Sequence, residues 1–267
     1  MKIITIAICT FNRRNLLIKC LNSIKIEKYI NLFEVLIINN ASTDDTEQVV
    51  LEYIKNKQNF KYFYEEKIGL SIARNRAISE SIGDWLVYID DDAFLDDNYI
   101  ERLLDIIKFD YDCIGGNYIG YSDCNIPKWL PKDFGNKELV LDNFGLCNYD
   151  VPCGGNVIYK KKAIINLNGF KNDFGMIGNS IAYGEETELQ NRLEKNGCKI
   201  AYDPELVVFH YISPIKFTLL WQFNSIFAQG RDEVFKNQFS IFYYFYLFFK
   251  SLFGLFFKNF LRKFIFH

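Results

Sequence analysis

The run Trp85-Leu86-Val87-Tyr88-Ile89-Asp90-Asp91-Asp92 is the stretch that most restricts the fold of this chain. Its five apolar residues indicate a buried strand, and three carboxylates follow at once. Adjacent carboxylates repel one another unless a cation neutralises them. In open α/β sheets, ligands bind beyond the carboxyl ends of the strands. The run therefore predicts a cation site at the end of a buried strand.

The first 120 residues alternate between short apolar runs and longer amphipathic ones. Besides the run at 85–90, strands are expected over 3–8, 33–39, 60–64 and 113–119. Helices are expected over 14–24, 44–54, 71–82 and 98–107. This alternation predicts an α/β fold, with a mostly parallel sheet covered by helices on both faces.

The pattern changes in the second half of the chain. Residues 122–150 contain Pro and Gly at irregular intervals, which indicates an irregular segment or lid. A strand is expected over 157–159, a helix over 185–196 with Gly197 at its end, and a strand over 206–211.

Composition narrows the classes of function. The chain has 267 residues, of which 49% are hydrophobic, so it can bury a substantial core. Its net charge of -2 argues against nucleic acid as the main partner. The seven cysteines form no C-x-x-C pair, and the N-terminus shows no export signal, so a cytoplasmic location is expected.

The C-terminal stretch differs in kind from the rest. From Phe239 onward most positions are apolar and many are aromatic, while no carboxylate occurs after Glu233. If the stretch is wound as a helix, one i, i+4 row carries Lys250, Gly254, Lys258 and Arg262. A helix lying in the membrane plane fits best. A spanning helix over 239–257 is an alternative, although Lys250 would cost about 3 kcal/mol inside the bilayer, and a core or oligomer helix is another.

The carboxylate run is expected to act through its geometry. Side chains alternate along an extended chain, so Asp90 and Asp92 should share one side and Asp91 should point away. A divalent ion, Mn²⁺ or Mg²⁺, would take one or two carboxylate oxygens and complete its coordination with water and substrate phosphates. The alternative is a solvated acidic turn in front of the next helix.

Three further polar segments are expected at the same edge of the sheet. Residues 9–14 (CTFNRR) follow the first strand, 39–45 (NNASTDD) follow the second, and 69–75 (GLSIARN) open a helix. Each segment alone is a weak signal, because polar residues cap helices everywhere. Their shared position beside the carboxylate run indicates one composite site.

Taken together, these segments resemble the family-2 glycosyltransferases, which have the GT-A (Rossmann-like) fold. The resemblance runs from about Ile3 to Tyr211 and adds two further pieces, CGGN at 153–156 and GEETEL at 184–189. It implies a metal-dependent, inverting, hexosyltransferase-type enzyme that uses a nucleotide-sugar donor, with UDP-sugar expected. The acceptor would be a saccharide or a lipid-linked saccharide in bacterial cell-surface polysaccharide biosynthesis.

The resemblance also implies roles for individual residues. Glu186 is expected to be the general base, with Glu185 beside it. The metal ligands are expected to be Asp92 and Asp90, and His210 either completes the metal shell or is a structural partner. Nucleotide contacts are expected from Thr10, Phe11, Asn12, Arg13, Asn40, Ser42, Gly69, Arg74, Asp90 and Asp91. Donor-sugar and acceptor contacts are expected from Gly154, Gly155, Asn156 and Trp129.

Two positions depart from the family pattern. Asn40 stands where the family usually carries Asp, although an amide can still bond a base edge because it is both donor and acceptor. Glu186 stands where the general base is usually Asp, which keeps a carboxylate on a longer side chain.

The expected organisation has three parts. Residues 1–121 would bind the nucleotide-sugar, 122–213 would bind the acceptor and supply the base, and 214–267 would form a helical tail on the inner membrane. The protein would be a peripheral membrane protein, with a single spanning helix as the alternative. Two other functions remain open: a sugar nucleotidyltransferase, disfavoured because CTFNRR lacks glycine, and a catalytically silent membrane-bound assembly subunit.

Overall fold

The computed structural model describes residues 3–137, 141–147 and 154–237. Within these ranges the strands form a single nine-stranded sheet. The strands are β1 Ile4–Thr10, β2 Phe33–Asn39, β3 Phe60–Tyr64, β4 Trp85–Ile89, β5 Ala93–Leu95, β6 Cys113–Tyr121, β7 Gly145–Leu146, β8 Asn156–Lys160 and β9 Ile200–Tyr211.

The helices connect these strands in the expected alternation. They are α1 Arg14–Ser23, α2 Thr46–Ile54, α3 Leu70–Glu80, α4 Tyr99–Ile106, α5 Lys161–Asn166, α6 Glu185–Lys195 and α7 Leu219–Asn237. Two short 3₁₀ helices, Glu27–Tyr29 and Pro214–Phe217, lie between them. Gly197 takes a φ of 76° just after α6, a left-handed conformation that favours glycine and ends the helix as expected.

The strand order is β3-β2-β1-β4-β8-β6-β9-β5, with β7 paired to β9. The first four strands are parallel, as the alternation of strands and helices predicts. β8 then joins between β4 and β6, antiparallel to both. Strands from the first and second halves of the chain therefore share one sheet.

Both faces of the sheet are buried. On β1, Ile6 and Ile8 pack into a cluster with residues of α1 and α4, while Ala7 packs into a second cluster with residues of α3 and α6. Side chains alternate between faces along a strand, so an unbroken apolar run is needed when helices cover both sides. The predicted two-sided α/β architecture is confirmed.

The pairing of β5 with β9 positions a residue that is distant in sequence. β5 begins directly after Asp92 and runs antiparallel to β9, with Ala93 opposite His210. The Tyr211 N–H donates to the Asp92 carbonyl at 2.8 Å. This register brings the end of β9 to the carboxylate run.

Several element boundaries differ from the sequence-based expectations. β9 begins at Ile200 rather than 206, because its first residues pair with β6 and β7, which local periodicity does not reveal. Within the described ranges, no helix combines the length and apolarity needed to cross a bilayer. The predicted in-plane or spanning helix over 239–267 lies outside the described residues.

Candidate functional site

Asp91 and Asp92 converge on one cation of the protein itself. Arg13, which immediately precedes α1, places Nη1 2.8 Å from Asp92 Oδ2 and 3.1 Å from Asp91 Oδ1. The Thr10 hydroxyl donates to Asp91 Oδ2 at 2.8 Å. Both carboxylates are buried, whereas the Arg13 side chain is 40% exposed. The loop after β1 therefore neutralises the carboxylates that follow β4.

The expected alternation of the three carboxylates is wrong. β4 ends at Ile89, and Asp91 and Asp92 lie in a turn that leads into β5. Because the backbone is no longer extended, Asp91 and Asp92 reach the same arginine. Asp90 makes other contacts: its Oδ2 accepts from the Tyr118 hydroxyl at 3.0 Å, and its Oδ1 lies 3.8 Å from Arg74 Nη2.

His210 lies beside Asp92, with Nε2 3.3 Å from Asp92 Oδ1. Its Nδ1 is buried and has no hydrogen-bond partner in the part of the chain that the structure describes. The Tyr118 ring stacks on the imidazole with centroids 4.6 Å apart, which fixes the plane of the ring. The site therefore contains a carboxylate and an imidazole held side by side.

These groups fit a divalent cation in part. Within the described residues no ready-made group of three or more His, Cys, Asp or Glu side chains surrounds a single point. Asp92 Oδ1 and His210 Nε2 nevertheless offer one oxygen and one nitrogen donor 3.3 Å apart, a separation that one ion can bridge. Two protein ligands suffice for an ion that completes its coordination with water and substrate phosphates.

The two aspartates differ in their charge environment. Burial raises the pKa of Asp91 to about 6, although the charge of Arg13 opposes the shift. Burial would also raise the pKa of Asp92, but the bond from His210 and the charges of His210, Arg13 and Lys216 hold it below its usual range. Asp92 is therefore the more strongly ionised of the two and the better cation ligand.

The loops after β1 and β2 are bonded to each other. Asn12 Oδ1 accepts the N–H groups of Thr43 and Asp44 at 2.7 and 3.3 Å, and the Asn12 N–H donates to Ser42 Oγ at 2.9 Å. Asn12 has a φ of 55°, a left-handed conformation that asparagine tolerates better than most residues. Phe11 is partly exposed at the end of this pair of loops.

Asn40 supports the loop in front of α3. Its Oδ1 accepts the Gly69 N–H at 2.8 Å, and its Nδ2 donates to the Lys67 carbonyl at 2.6 Å. Gly69 has a φ of 154° where the chain turns into the helix. Asn40 therefore holds the loop that would wall a base pocket, and its contact with a base stays a prediction.

Arg74 is buried and linked to three parts of the chain. Nη1 donates to Glu185 Oε1 at 2.9 Å, Nη2 donates to the Gly154 carbonyl at 3.3 Å, and Asp90 lies at 3.8 Å. Its guanidinium also lies over the rings of Tyr88 and Phe170. The arginine therefore bridges the carboxylates after β4 and the start of α6.

The two glutamates at the start of α6 have different partners. Glu185 is buried in the ion pair with Arg74, and burial together with the charge of Glu186 raises the pKa of Glu185 to about 8. Glu186 keeps one buried oxygen, Oε2, that has no hydrogen-bond partner among the described residues. An unpartnered carboxylate oxygen next to an arginine is suited to accept a proton from a bound hydroxyl.

Gly154 and Gly155 bring the backbone close to these groups. A Cβ on Gly154 would lie 2.9 Å from Arg74 Nη2 and 3.1 Å from Glu186 Cδ. A Cβ on Gly155 would collide with Asp90 Oδ2 and with the Tyr118 ring. The backbone at 154–155 therefore approaches the site more closely than any side chain would permit.

The remaining two predicted residues, Asn156 and Trp129, differ in their surroundings. Asn156 is fully buried; it accepts from the Tyr99 hydroxyl and donates to the Asn117 and Leu206 carbonyls. It therefore ties β8 to its neighbours, and the prediction that it contacts the sugar is corrected. Trp129 is 43% exposed in the irregular segment after β6, and its contact with a sugar stays a prediction.

Sequence reasoning missed two residues of the site. Tyr118, on β6, bonds Asp90 and stacks on His210. Lys216, in the 3₁₀ helix Pro214–Phe217, acts on Asp92 through its charge, and burial lowers its own pKa. The basic character of Lys216, six residues after His210, was visible in the sequence, but the approach of Tyr118 depends on strand pairing alone.

The sequence of this chain is similar to those of known glycosyltransferases. The model of "Glycosyl transferase family 2" matches residues 5–167. Glycosyltransferase GlyA of Streptococcus pneumoniae serotype 4 is 31% identical over 121 residues, covering 45% of this chain and 17% of the relative. The GalNAc(5)-diNAcBac-PP-undecaprenol beta-1,3-glucosyltransferase of Campylobacter jejuni is 28% identical over 142 residues, covering 52% of this chain and 44% of the relative.

Among solved structures, a mannosyltransferase from Pyrobaculum calidifontis in complex with GDP-Man and Mn²⁺ superimposes with a TM-score of 0.66. Its identity is 14%, and the match covers 89% of this chain and 64% of the other. The expected GT-A fold is therefore confirmed. This chain spans less than half the length of the first curated relatives that it matches. Because the family model covers most of the chain, the protein belongs to the family-2 glycosyltransferases.

Proposed function

We propose that this chain transfers a sugar, with inversion, from a nucleotide diphosphate donor to a saccharide or lipid-linked saccharide acceptor in cell-surface polysaccharide assembly. One arrangement carries the proposal: Arg74 bridges Asp90 on one side and Glu185, next to Glu186, on the other. Arg74 therefore lies between the proposed leaving-group site and the proposed proton acceptor.

The donor side of the reaction rests on cationic groups. Arg13 and Lys216 lie at Asp92 from two different elements of the fold. A bound diphosphate would compete with the aspartates for Arg13, whose side chain is exposed enough to move. The guanidinium would then donate to phosphate oxygens in place of one aspartate. The loops after β1 and β2, with Phe11 and Ser42, would hold the nucleoside, which we expect to be uridine.

A divalent cation, Mn²⁺ or Mg²⁺, fits Asp92 and His210. When bound, it would supply positive charge that stabilises the departing diphosphate. The Pyrobaculum mannosyltransferase was solved with Mn²⁺, which supports this choice of ion. The protein contributes the His210 imidazole, whose ring plane is fixed by Tyr118, and the Asp92 carboxylate, which is held ionised.

On the acceptor side, Glu186 takes the proton. Its unpartnered Oε2 would accept the acceptor hydroxyl's proton as that oxygen attacks the anomeric carbon opposite the leaving diphosphate. One displacement inverts the anomeric configuration. The backbone at Gly154 lies against both Arg74 and Glu186, so a side chain at this position would crowd the two groups.

The relatives support a lipid-linked acceptor. The Campylobacter enzyme is named for transfer to an undecaprenol-linked saccharide. We propose that residues 1–121 bind the donor, that 122–213 supply the base and bind the acceptor, and that 214–267 associate with the inner face of the membrane. The protein would then be cytoplasmic and peripheral.

A panel of nucleotide sugars tests the proposal. The purified chain is incubated with Mn²⁺ or Mg²⁺ and UDP-, GDP- or dTDP-sugars, with and without an undecaprenol-linked saccharide, and nucleotide release is measured. Release that depends on one donor and increases with acceptor would support the proposal. A chain that binds donors but turns none over would be a catalytically silent subunit, and turnover unaffected by EDTA would exclude the metal.

A further inference from the structure

Helix α7 presents an apolar stripe to the outside. Leu219, Leu220, Phe223 and Phe227 are 74%, 71%, 59% and 63% exposed, and Ile215 in the preceding 3₁₀ helix is 62% exposed. At 3.6 residues per turn, the four helix residues fall within about 100° of the helix circumference. A contiguous cluster of large exposed apolar side chains marks an interaction surface.

The opposite side of α7 is held against the protein. Ser225 and Ala228 are buried there, and the Ser225 hydroxyl bonds the Tyr183 hydroxyl at 2.8 Å. Asp232 accepts the Tyr183 N–H at 2.7 Å, and Arg231 donates to the Ile181 carbonyl at 3.0 Å. These bonds fix the rotation of the helix, so the stripe must face away from the body of the protein.

The stripe lies next to the candidate site at both of its ends. Ile215 precedes Lys216, whose charge acts on Asp92. Residues 181–183, which are hydrogen-bonded to α7, lead directly into Gly184 and the two glutamates of α6. A surface seated on the stripe would therefore lie beside both the donor side and the acceptor side.

We propose that Ile215, Leu219, Leu220, Phe223 and Phe227 dock on the surface of an anionic lipid bilayer. The inference rests on the proposed function, in which the acceptor is lipid-linked and must reach Glu186 from a membrane. The sequence that follows α7 has matching chemistry, since residues 238–267 are mainly apolar and carry four cations and no carboxylate. Apolar side chains beside basic residues favour the interface of an anionic bilayer.

The test uses the full chain and vesicles of phosphatidylcholine, with and without phosphatidylglycerol. The double variant Phe223→Glu with Phe227→Glu places two charges in the stripe. The matched control, Asn224→Glu with Gln229→Glu, places the same charges at exposed polar positions of the same helix. We expect the stripe variant to lose about tenfold or more in affinity for anionic vesicles, because its apolar surface no longer enters the interface, and the control to retain its affinity.

A second measurement separates the stripe from the sequence that follows it. Phe223→Trp and Gln229→Trp are compared on vesicles that contain brominated lipid, and the wild-type fluorescence is subtracted from each. Quenching of the tryptophan at 223 alone supports docking through the stripe. Equal vesicle affinity of the two double variants, or no quenching at 223, would overturn it. The proposal would also be overturned if the chain formed a dimer that the stripe variant dissociates and the control variant does not. A second copy of the chain would then cover the stripe.

Vesicle binding does not depend on sugar transfer, so the two proposals fail separately. If vesicles bind through the stripe but no nucleotide sugar is turned over, the proposed function is wrong and the docking surface stands. If transfer to a water-soluble acceptor proceeds and the stripe does not bind lipid, the docking surface is wrong and the proposed sugar transfer stands.

Discussion

Arg74 Nη1 lies 2.9 Å from Glu185 Oε1, while the neighbouring Glu186 keeps a buried oxygen that no described residue bonds. Two adjacent glutamates of equal chemistry are thereby assigned different tasks. Glu185 holds the arginine that bridges to Asp90. Glu186 hydrogen-bonds Glu185, and we propose that its second oxygen, Oε2, accepts the proton. The distinction follows from the start of α6, where successive side chains point in different directions around the helix axis.

Replacement of Glu186 by Gln should lower kcat by a factor of about 10² to 10⁴, because the amide cannot take the proton of the acceptor hydroxyl. Affinity for the nucleotide-sugar should change little, since the side chain keeps its size. The control is Glu194→Gln, on the exposed side of the same helix. Steady-state kinetics with donor and acceptor measure both. A Glu186→Gln variant with wild-type kcat would remove the base assignment.

Replacement of Arg13 by Gln should strengthen the binding of Mn²⁺ in the absence of nucleotide by a few-fold, because Asp91 and Asp92 lose their shared cation. The same change should weaken binding of the nucleotide diphosphate, which loses a guanidinium donor. The control is Arg14→Gln, which removes the adjacent arginine, paired instead with Asp45. Electron paramagnetic resonance of free Mn²⁺ measures the first effect. Equal Mn²⁺ affinity in both variants would show that Arg13 does not compete with the ion.

The stability of the protein should fall as the pH rises from about 5 to 8, in part through Glu185. Its pKa is raised from 4.5 to about 8 in the folded state, mainly by burial. Between these values the folded protein holds a proton that the unfolded chain has released, so the free energy of unfolding decreases with increasing pH. Glu185→Gln stays neutral throughout and should lose this slope. Urea unfolding of both proteins across the range tests this, and parallel profiles would contradict it.

Replacement of Asn40 by Asp should destabilise the protein by about 1–3 kcal/mol, although the family pattern usually has Asp here. One carboxylate oxygen would still accept the Gly69 N–H, but the other would face the Lys67 carbonyl in place of an N–H donor. Asn12→Asp is the control, because Asn12 bonds Thr43 and Asp44 through its oxygen, which Asp retains. Thermal unfolding compares the two. Equal melting temperatures would show that the bond to Lys67 contributes nothing.

Much of the fold could be predicted from local pattern. The apolar runs at 33–39 and 60–64 coincide with β2 and β3, and the amphipathic spacing at 185–196 matches α6 to within one residue. These elements follow the hydrophobic periodicity of a strand or a helix and end at polar or glycine residues. Both features can be read from a short stretch of sequence. β9 was predicted only from 206 onward, because its first half is defined by pairing with β6 and β7 rather than by its own pattern.

The candidate site was likewise predictable only in part from local sequence. The sequence placed Asp91 and Asp92 at the end of β4 and Glu186 at the start of α6. It predicted the wrong direction for Asp91, since an extended backbone was assumed where the chain turns. It also placed Asn156 at the sugar, whereas that side chain is consumed by bonds to β6, β9 and Tyr99. A polar residue at a strand start looks the same in sequence whether it faces a ligand or the core.

By itself, the sequence determined the order of strands and helices and the presence of carboxylates where the central strand ends, because both depend on neighbours a few residues away. Only the tertiary structure decided that His210 lies beside Asp92, that Arg13 bridges two aspartates and that Arg74 selects Glu185 over Glu186. Those contacts join residues more than 75 positions apart. Strand order and register bring them together, and neither is encoded in the periodicity of any single segment.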